Sequence, residues 1–166
     1  MRVLETDRLI LRWLEPGDAA FILELLNQPS FLHFIGDRSV GTIEEAREYI
    51  AQGPGRSYAE HGFGLYLVEL AGDRRPIGMC GLLRRETLED VDLGFAFLPR
   101  YWGRGYAFES TKAVLAHGEA DFDLKRIVAI TASDNEAAIR LLGKLGMSFE
   151  KMIRVTDEAP EVKLFA

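Results

Sequence analysis

Two glycines that flank one arginine, Gly103 and Gly105, stand between a β-rich run and a run with helical spacing. Glycine tolerates backbone conformations that other residues avoid and lets a ligand approach the main chain, so successive N–H groups can converge on one anion. The positive end of the following helix dipole adds to this attraction. The loop therefore predicts a phosphate or diphosphate site that needs no lysine. A plain strand-to-helix turn would use the same glycines, and the glycines alone leave that alternative open.

Motif and composition disfavour several other ligand classes. The loop is neither G-x-x-x-x-G-K-[ST] nor G-x-G-x-x-G, which argues against ATP-type and dinucleotide sites. With 26 acidic and 20 basic residues, the chain has a formal charge of −6, whereas sequence-independent binding of nucleic acid needs clustered Lys and Arg. The single cysteine, Cys80, and three dispersed histidines match no metal-ligand spacing. We therefore expect no nucleic-acid partner and no metal.

Length and hydropathy predict one domain over residues 1–166. The 48% of hydrophobic and 28% of charged residues are typical of a globular chain, and a domain of this size buries about 68–70% of its unfolded surface. The N-terminus lacks the apolar centre of a signal peptide, and no apolar stretch is long enough to span a membrane. We expect a cytoplasmic protein without membrane contact.

Hydrophobic periodicity then gives the order of the elements that position the loop. Strands are predicted near residues 8–14, 63–70, 77–84, 91–97, 126–131, 149–155 and 162–165. Helices are predicted after Asp18, over residues 42–53 behind the capping box of Thr42, and over residues 105–118 and 135–145. The predicted order is β-α-α-β-β-β-α-β-α-β-β.

A strand, a helix and a second strand in succession favour a parallel pair with a right-handed crossover. Strands 91–97 and 126–131 are therefore expected to be parallel neighbours, while the earlier strands form an antiparallel meander. The predicted fold class is α+β (α/β), with a mixed, mainly antiparallel central sheet and helices on both faces.

Three segments carry a resemblance to a known family. Trp102-Gly103-Arg104-Gly105-Tyr106-Ala107 resembles the Q/R-x-x-G-x-G/A coenzyme A loop of the GNAT acetyltransferase superfamily. The start, Glu5-Thr6-Asp7-Arg8-Leu9-Ile10-Leu11-Arg12, is similar to the opening strand of the RimJ/RimL-type branch, which acetylates N-terminal amines of ribosomal proteins and many other amines. Residues 135–147 are similar to that branch's N-x-x-S/A-I-x-L-L-x-K-L-G-F signature. The predicted element order is also that of the family's GNAT fold.

The resemblance implies that the cosubstrate is acetyl-CoA. In the family, the strand before the loop splays from its parallel neighbour and pairs with the pantetheine arm, a position that Phe97 and Leu98 hold here. Asn135 matches an asparagine that bonds near the pantetheine. The loop residues expected at the diphosphate are Gly103, Arg104, Gly105, Tyr106 and Ala107.

The resemblance also nominates two carboxylates as catalytic residues. Asp92 stands where the histone-acetylating members carry a strand glutamate that acts as a base, although an exposed strand carboxylate is an equal alternative. Glu109 matches a glutamate of the branch, but a glutamate in the first helical turn also suits the helix dipole. We take Asp92 as the first choice and Glu109 as the second.

The proton donor is where the sequence departs from the family pattern. Leu142 stands where many members have a tyrosine, and Ala138 stands where the branch has a serine. Two functions therefore remain: direct acetyl transfer to an amine without a side-chain acid, or a catalytically weak acyl-CoA-binding or regulatory domain. The expected acceptor is the amine of a protein N-terminus or of a small molecule, approached by the segment with Phe31, His33, Phe34 and Asp37. We expect a monomer or a homodimer.

Overall fold

The computed structural model describes residues 1–166, and its strands form one mixed sheet. The strands are β1 (Arg2–Glu5), β2 (Leu9–Trp13), β3 (Leu65–Leu70), β4 (Pro76–Leu83), β5 (Val91–Phe97), β6 (Ile127–Ala132), β7 (Phe149–Ile153) and β8 (Val162–Phe165). Across the sheet their order is β1-β2-β3-β4-β5-β6-β8-β7. Only the β5–β6 pair is parallel; the other neighbours are antiparallel.

Six α-helices accompany the sheet, and none is long and apolar enough to cross a membrane. They are α1 (Ala19–Leu26), α2 (Pro29–Phe34), α3 (Ile43–Ile50), α4 (Arg56–His61), α5 (Tyr106–Phe122) and α6 (Glu136–Lys144). Thr42 caps the start of α3 as predicted, because its Oγ1 accepts a hydrogen bond from Glu45 N at 3.1 Å. The second half of the predicted capping box is different, since Glu45 Oε1 accepts from Gly41 N and Thr42 Oγ1 instead of from Thr42 N. A π-helical turn, Ala51–Gly55, joins α3 to α4.

The predicted fold class is confirmed, including the parallel pair and the bounds of β5 and β8. The structure adds β1, α2 and α4 to the predicted order. β1 spans only four residues, and its two apolar residues are adjacent, so it lacks the alternation that predicts a strand. α4 follows the π-helical turn, whose Gly53 and Pro54 indicate the end of a helix when only the sequence is considered.

A strand gap opens inside the sheet between the two parallel strands. β5 and β6 pair at only two positions, Val91 with Ile127 and Asp92 with Val128. Beyond them β5 stays paired with β4 as far as Phe97, while β6 pairs with β8 from Ala129 onwards. We call the space between residues 93–97 of β5 and 129–132 of β6 the strand gap.

The core fixes both sides of this gap. Thirty buried residues form one apolar cluster to which β2 to β6 and helices α1, α3 and α5 contribute. α5 packs across β4 and β5, where a Cβ on Gly118 would lie only 2.9 Å from a methyl carbon of Leu82. The N-terminus of α5 is thereby held at the end of β5, next to the strand gap.

The closest backbone approach in the sheet gives a stability prediction. A Cβ on Gly81 would lie 2.0 Å from Gly64 O, a main-chain atom that cannot move aside cheaply. We expect Gly81→Ala to lower the free energy of unfolding by about 2 kcal/mol or more. The matched control is Gly72→Ala, since nothing lies within 4 Å of that position, and urea unfolding of both variants is the measurement. Equal stability of the two variants would contradict the prediction.

Candidate active site

The loop between β5 and α5 presents a run of unpaired backbone amides. Gly103 and Gly105 have φ angles of +73° and +82°, in the left-handed region that favours glycine. The amides from Gly103 to Phe108 donate to no acceptor in the chain, whereas the next amide, that of Glu109, bonds Gly105 O at 3.0 Å. These N–H groups stand at the positive end of a 17-residue helix. The arrangement is suited to binding an anion.

The edge of β5 that faces the strand gap also carries free main-chain groups. Leu98 N donates to Ile77 O at 3.0 Å, so the antiparallel alternation turns the N–H and C=O of Phe97 away from β4 and towards the gap. Phe97 O accepts from Trp102 Nε1 at 2.9 Å. Leu98 O accepts from Tyr101 N at 2.9 Å. Of the predicted pair, Phe97 therefore offers its N–H to the gap, whereas both main-chain groups of Leu98 are engaged.

Asp92 lies at the closed end of the strand gap, because Asp92 and Val128 are the last paired residues. Its side chain is 1% exposed, so the alternative of an exposed strand carboxylate is wrong. Oδ1 accepts a hydrogen bond from Arg85 Nε at 3.0 Å, and Oδ2 has no partner. Burial raises the pKa of Asp92, although Arg85 acts in the opposite direction. A raised pKa and a free oxygen make this carboxylate a better proton acceptor than a surface one.

Asn135 follows β6 and begins α6 at the open end of the gap. Its Oδ1 accepts a hydrogen bond from Ala138 N at 3.2 Å, while its Nδ2 bonds no group of the chain and stays free to donate. On the same helix, Leu142 and Ala138 are 1% and 7% exposed. α6 therefore carries no hydroxyl at either position where the family offers one.

Glu109 is fully engaged with the N-terminal turn. Its Oε2 accepts from Thr6 Oγ1 at 2.5 Å and from Arg8 N at 3.1 Å, and its Oε1 accepts from Arg8 Nε at 2.8 Å. Partial burial acts to raise the pKa of Glu109, but the hydrogen bonds from Thr6 and Arg8 lower it overall. These contacts favour positioning over proton transfer, so the catalytic role predicted for Glu109 stays a prediction.

The predicted acceptor segment meets the other side of the gap. His33 on α2 lies 2.8 Å from Asp134 Oδ2, in the loop that follows β6. Phe63 and Tyr66, which the sequence predicts on a strand opposite this segment, point towards α5 instead. The ring of Phe63 contacts that of Phe122, and Tyr66 OH lies 3.1 Å from His117 Nε2. The thiol of Cys80 is fully buried, and burial raises its pKa to about 12, which disfavours a nucleophilic role.

The matching family model describes an acetyltransferase (GNAT) domain and spans residues 8–148, most of the chain. It includes the loop, the strand gap, Asp92 and Asn135. The chain belongs to the GNAT acetyltransferase family. The family predicted from the loop is thereby confirmed, and the protein is an acyltransferase.

Relatives of this GNAT protein include both bacterial sequences and solved structures. It is 31% identical to the uncharacterized N-acetyltransferase YoaA of Bacillus subtilis, over 92% of this chain and 86% of that protein. RimL, a ribosomal L7/L12 α-N-protein acetyltransferase also solved with coenzyme A, has a TM-score of 0.81 at 16% identity, covering 99% of this chain and 92% of that one. A mutant of the spermidine N-acetyltransferase SpeG from Vibrio cholerae has a TM-score of 0.74 at 20% identity, covering 96% and 93%.

These structural likenesses concern the fold. The two solved neighbours have different acceptors in their names, a protein N-terminus and spermidine. Assignment to the RimJ/RimL branch therefore stays a prediction.

Two arginines of the site were not assigned a role from the sequence. Arg85 lies outside any quoted motif, in the turn between β4 and β5, and only the fold brings it to Asp92. Arg8 stands within the Glu5–Arg12 segment, so a signal was present, but its contact with Glu109 spans 101 residues of sequence.

The burial of Asp92 predicts that ionisation of its carboxylate lowers the stability of the folded protein. Because its folded pKa is raised above the unfolded value of about 3.9, protonation favours the folded state, and this stabilisation is lost as pH rises through the folded pKa. At pH 7 the buried charge therefore lowers stability. We expect Asp92→Asn to raise the Tm at pH 7 by about 2 °C or more.

The control for this measurement is Asp157→Asn, an exposed carboxylate with no hydrogen bond or ion pair in the chain. Its Tm should change by less than about 1 °C. Thermal unfolding followed by circular dichroism at pH 7 gives both values. A lower Tm for Asp92→Asn than for the wild type would show that the ion pair with Arg85 outweighs the burial of the charge.

Proposed function

We propose that this protein is an acetyl-CoA-dependent N-acetyltransferase that moves the acetyl group to a primary amine by direct attack. The observation that carries the proposal is the adjacency of the unpaired amides of Gly103–Phe108 to the strand gap. One feature suits the diphosphate of acetyl-CoA, and the other suits the amide-bearing pantetheine arm. Membership in the GNAT family supports the same assignment.

The coenzyme would lie along the free edge of β5. Its pantetheine amides have the N–H of Phe97 as a partner at the loop end and Nδ2 of Asn135 across the gap. Among the arginines at the loop, Arg100 pairs with Glu24 at 3.0 Å and Arg8 pairs with Glu109 at 2.8 Å. Arg104 has no carboxylate partner and lies over the ring of Tyr101. Its guanidinium is therefore free for a coenzyme phosphate.

Asp92 is the proposed general base, because it lies where the gap closes and therefore where a thioester at the end of the pantetheine arm would stop. The amine nitrogen attacks the thioester carbonyl carbon, the C–S bond breaks, and the proton lost by nitrogen passes to Asp92. The sulfur leaves as a thiolate and takes a proton from water, since Leu142 and Ala138 supply none. Thiols ionise near pH 8.5, so a thiolate is a tolerable leaving group.

The acceptor is proposed to be the α-amine of a protein N-terminus or a small-molecule amine of similarly low pKa. At pH 7 an α-amine is about 10% neutral, whereas a lysine side chain is less than about 0.1% neutral, a gap of roughly 3 kcal/mol in deprotonation. A single buried carboxylate is poorly equipped to close that gap. We also propose that the protein belongs to the RimJ/RimL-type branch, that it is cytoplasmic, and that it is a monomer or a homodimer.

The coenzyme site is tested by Gly105→Val. A β-branched side chain at this position would crowd the amides that bind the diphosphate, so we expect the Kd for acetyl-CoA to rise at least tenfold, or about 1.4 kcal/mol. The matched control is Gly146→Val at the end of α6, where φ is +85° and the backbone strain is alike. Isothermal titration calorimetry on folded proteins gives both constants. An unchanged Kd for folded Gly105→Val would refute the assigned site.

The chemistry is tested by release of free thiol from acetyl-CoA with a panel of amines. We expect N-terminal amines to react faster than lysine side chains at pH 7, and Asp92→Asn to lower kcat by about a hundredfold while acetyl-CoA still binds. For the wild type, the rate should fall as pH drops through the raised pKa of Asp92, because the protonated carboxyl cannot accept a proton.

The alternative of a catalytically weak acyl-CoA-binding domain makes a different prediction for the same panel. If the protein only binds acyl-CoA, acetyl-CoA should bind tightly and no amine of the panel should release free thiol from it. Tyr106 and Ser133 carry hydroxyl groups near the loop and Asn135 in sequence, although neither matches an acid of the family. Tyr106→Phe and Ser133→Ala therefore complete the experiment: a hundredfold loss of turnover in either folded variant, with binding intact, would reveal a side-chain acid and contradict the mechanism without one.

A further inference from the structure

The turn before β2 is attached to the start of α5 through one carboxylate. Glu109 accepts hydrogen bonds from Thr6 Oγ1, from the main chain of Arg8 and from Arg8 Nε. Thr6 Oγ1 in turn accepts from Leu9 N at 3.1 Å, which fixes the turn itself. The side chain of Glu109 is 21% exposed, so these bonds are only partly screened by water.

From this attachment the guanidinium of Arg8 reaches three consecutive residues of the loop. Its Nη1 donates to Arg104 O at 3.0 Å. Its Nη2 would lie 3.2 Å from a Cβ on Gly105, and its Cζ lies 4.5 Å from the centroid of the Tyr106 ring. Planarity and five fixed donors let one arginine make these contacts together, which a lysine cannot do.

The bond to Arg104 O has a geometric consequence for Gly105. In a trans peptide the C=O of one residue and the N–H of the next point in opposite directions. Because Arg104 O points at Arg8, the N–H of Gly105 points away from Arg8, and it donates to no acceptor in the chain. Arg8 therefore sets the direction of one amide in the middle of the unpaired run.

The same pair also balances charge beside the loop. The carboxylate of Glu109, in the first turn of α5, interacts favourably with the helix dipole. The same negative charge would repel an anion bound at the helix N-terminus. The ion pair with Arg8, at 2.8 Å, neutralises that carboxylate. The loop thus keeps its attraction for an anion although it has an acidic neighbour.

We propose that Arg8, held by Glu109, is a positioning residue of the coenzyme diphosphate site. It fixes the Arg104–Gly105 peptide so that the Gly105 N–H is aimed at the diphosphate before the ligand arrives. The inference rests on the proposed use of acetyl-CoA. It also assigns Glu109 a role through Arg8 in place of direct proton transfer.

The test compares Arg8→Met with the wild type. We expect the Kd for coenzyme A and the KM for acetyl-CoA to rise about tenfold, with kcat and the acceptor KM changed less than twofold. Arg8→Lys should recover only part of the loss, since lysine cannot bond Glu109 and Arg104 O together. The control is Arg2→Met, which removes an exposed pair with Glu5 in the same N-terminal segment and should leave all constants unchanged.

Two further variants separate charge from geometry. In Arg8→Met the carboxylate of Glu109 keeps its hydrogen bonds from Thr6 Oγ1 and the Arg8 main chain but loses its cation. Its charge would then repel the diphosphate, so Arg8→Met/Glu109→Gln should bind coenzyme A more tightly than Arg8→Met alone. Glu109→Gln by itself should weaken binding severalfold, because it loosens Arg8. If Arg8→Met does not fold, Arg8→Lys and Glu109→Gln carry the comparison.

A substrate without a diphosphate distinguishes positioning from general damage. S-acetylpantetheine lacks the group that Arg8 is proposed to serve, so its kcat/KM should be equal in Arg8→Met and the wild type. Equal losses with both thioesters, a coenzyme A Kd within twofold of the wild type in folded Arg8→Met, or the same weakening in Arg2→Met would overturn the inference. A wild type that binds no coenzyme A would instead overturn the proposed function.

Discussion

The parting of β5 and β6 after Asp92 is the constraint on which the site depends. A sheet normally pairs the main-chain groups of its inner strands, since buried unpaired groups lower stability. Here β5 is held by β4 and β6 is held by β8, so each strand keeps one paired edge and the gap between them persists. The free N–H of Phe97 and the position of Asp92 both follow from it. A ligand with its own amides can complete the missing pairing.

The second constraint is electrostatic: under the proposed function an acidic protein must attract an anionic coenzyme. The formal charge is −6 and no lysine stands in the loop, so under the proposed function the attraction comes from main-chain amides, the dipole of α5 and the guanidinium of Arg104. Such partial charges act only at short range and only when they are correctly oriented. For this reason the proposal gives a role to an arginine that is attached behind the loop. In the proposed role, Arg8 contributes fixed geometry, and Glu109 holds that geometry in place.

The sequence predicted most of this frame, and its failures have physical causes. The N-cap at Thr42 and the run of β5 are local patterns, so they were found. α4 was missed because it follows a π-helical turn with glycine and proline, which ordinarily ends a helix. The equal alternatives for Asp92 could not be resolved from a strand position, since its burial depends on tertiary packing and its one side-chain partner, Arg85, lies in the turn before β5. The difference between Phe97 and Leu98 depends on hydrogen-bond register, which no residue type encodes.

The chemistry of attack on a thioester accounts both for the missing proton donor on α6 and for the proposed base, Asp92. Under the proposed mechanism a thiolate can leave without a proton, because its conjugate acid ionises near pH 8.5. The attacking nitrogen has no such freedom, since the new amide forms only when a proton leaves it. Loss of the hydroxyls at Leu142 and Ala138 is therefore tolerable, whereas loss of a base is not. This asymmetry gives a reason to keep a buried, partly unpaired Asp92 in spite of its effect on stability, with Arg85 bonding one oxygen and leaving the other free.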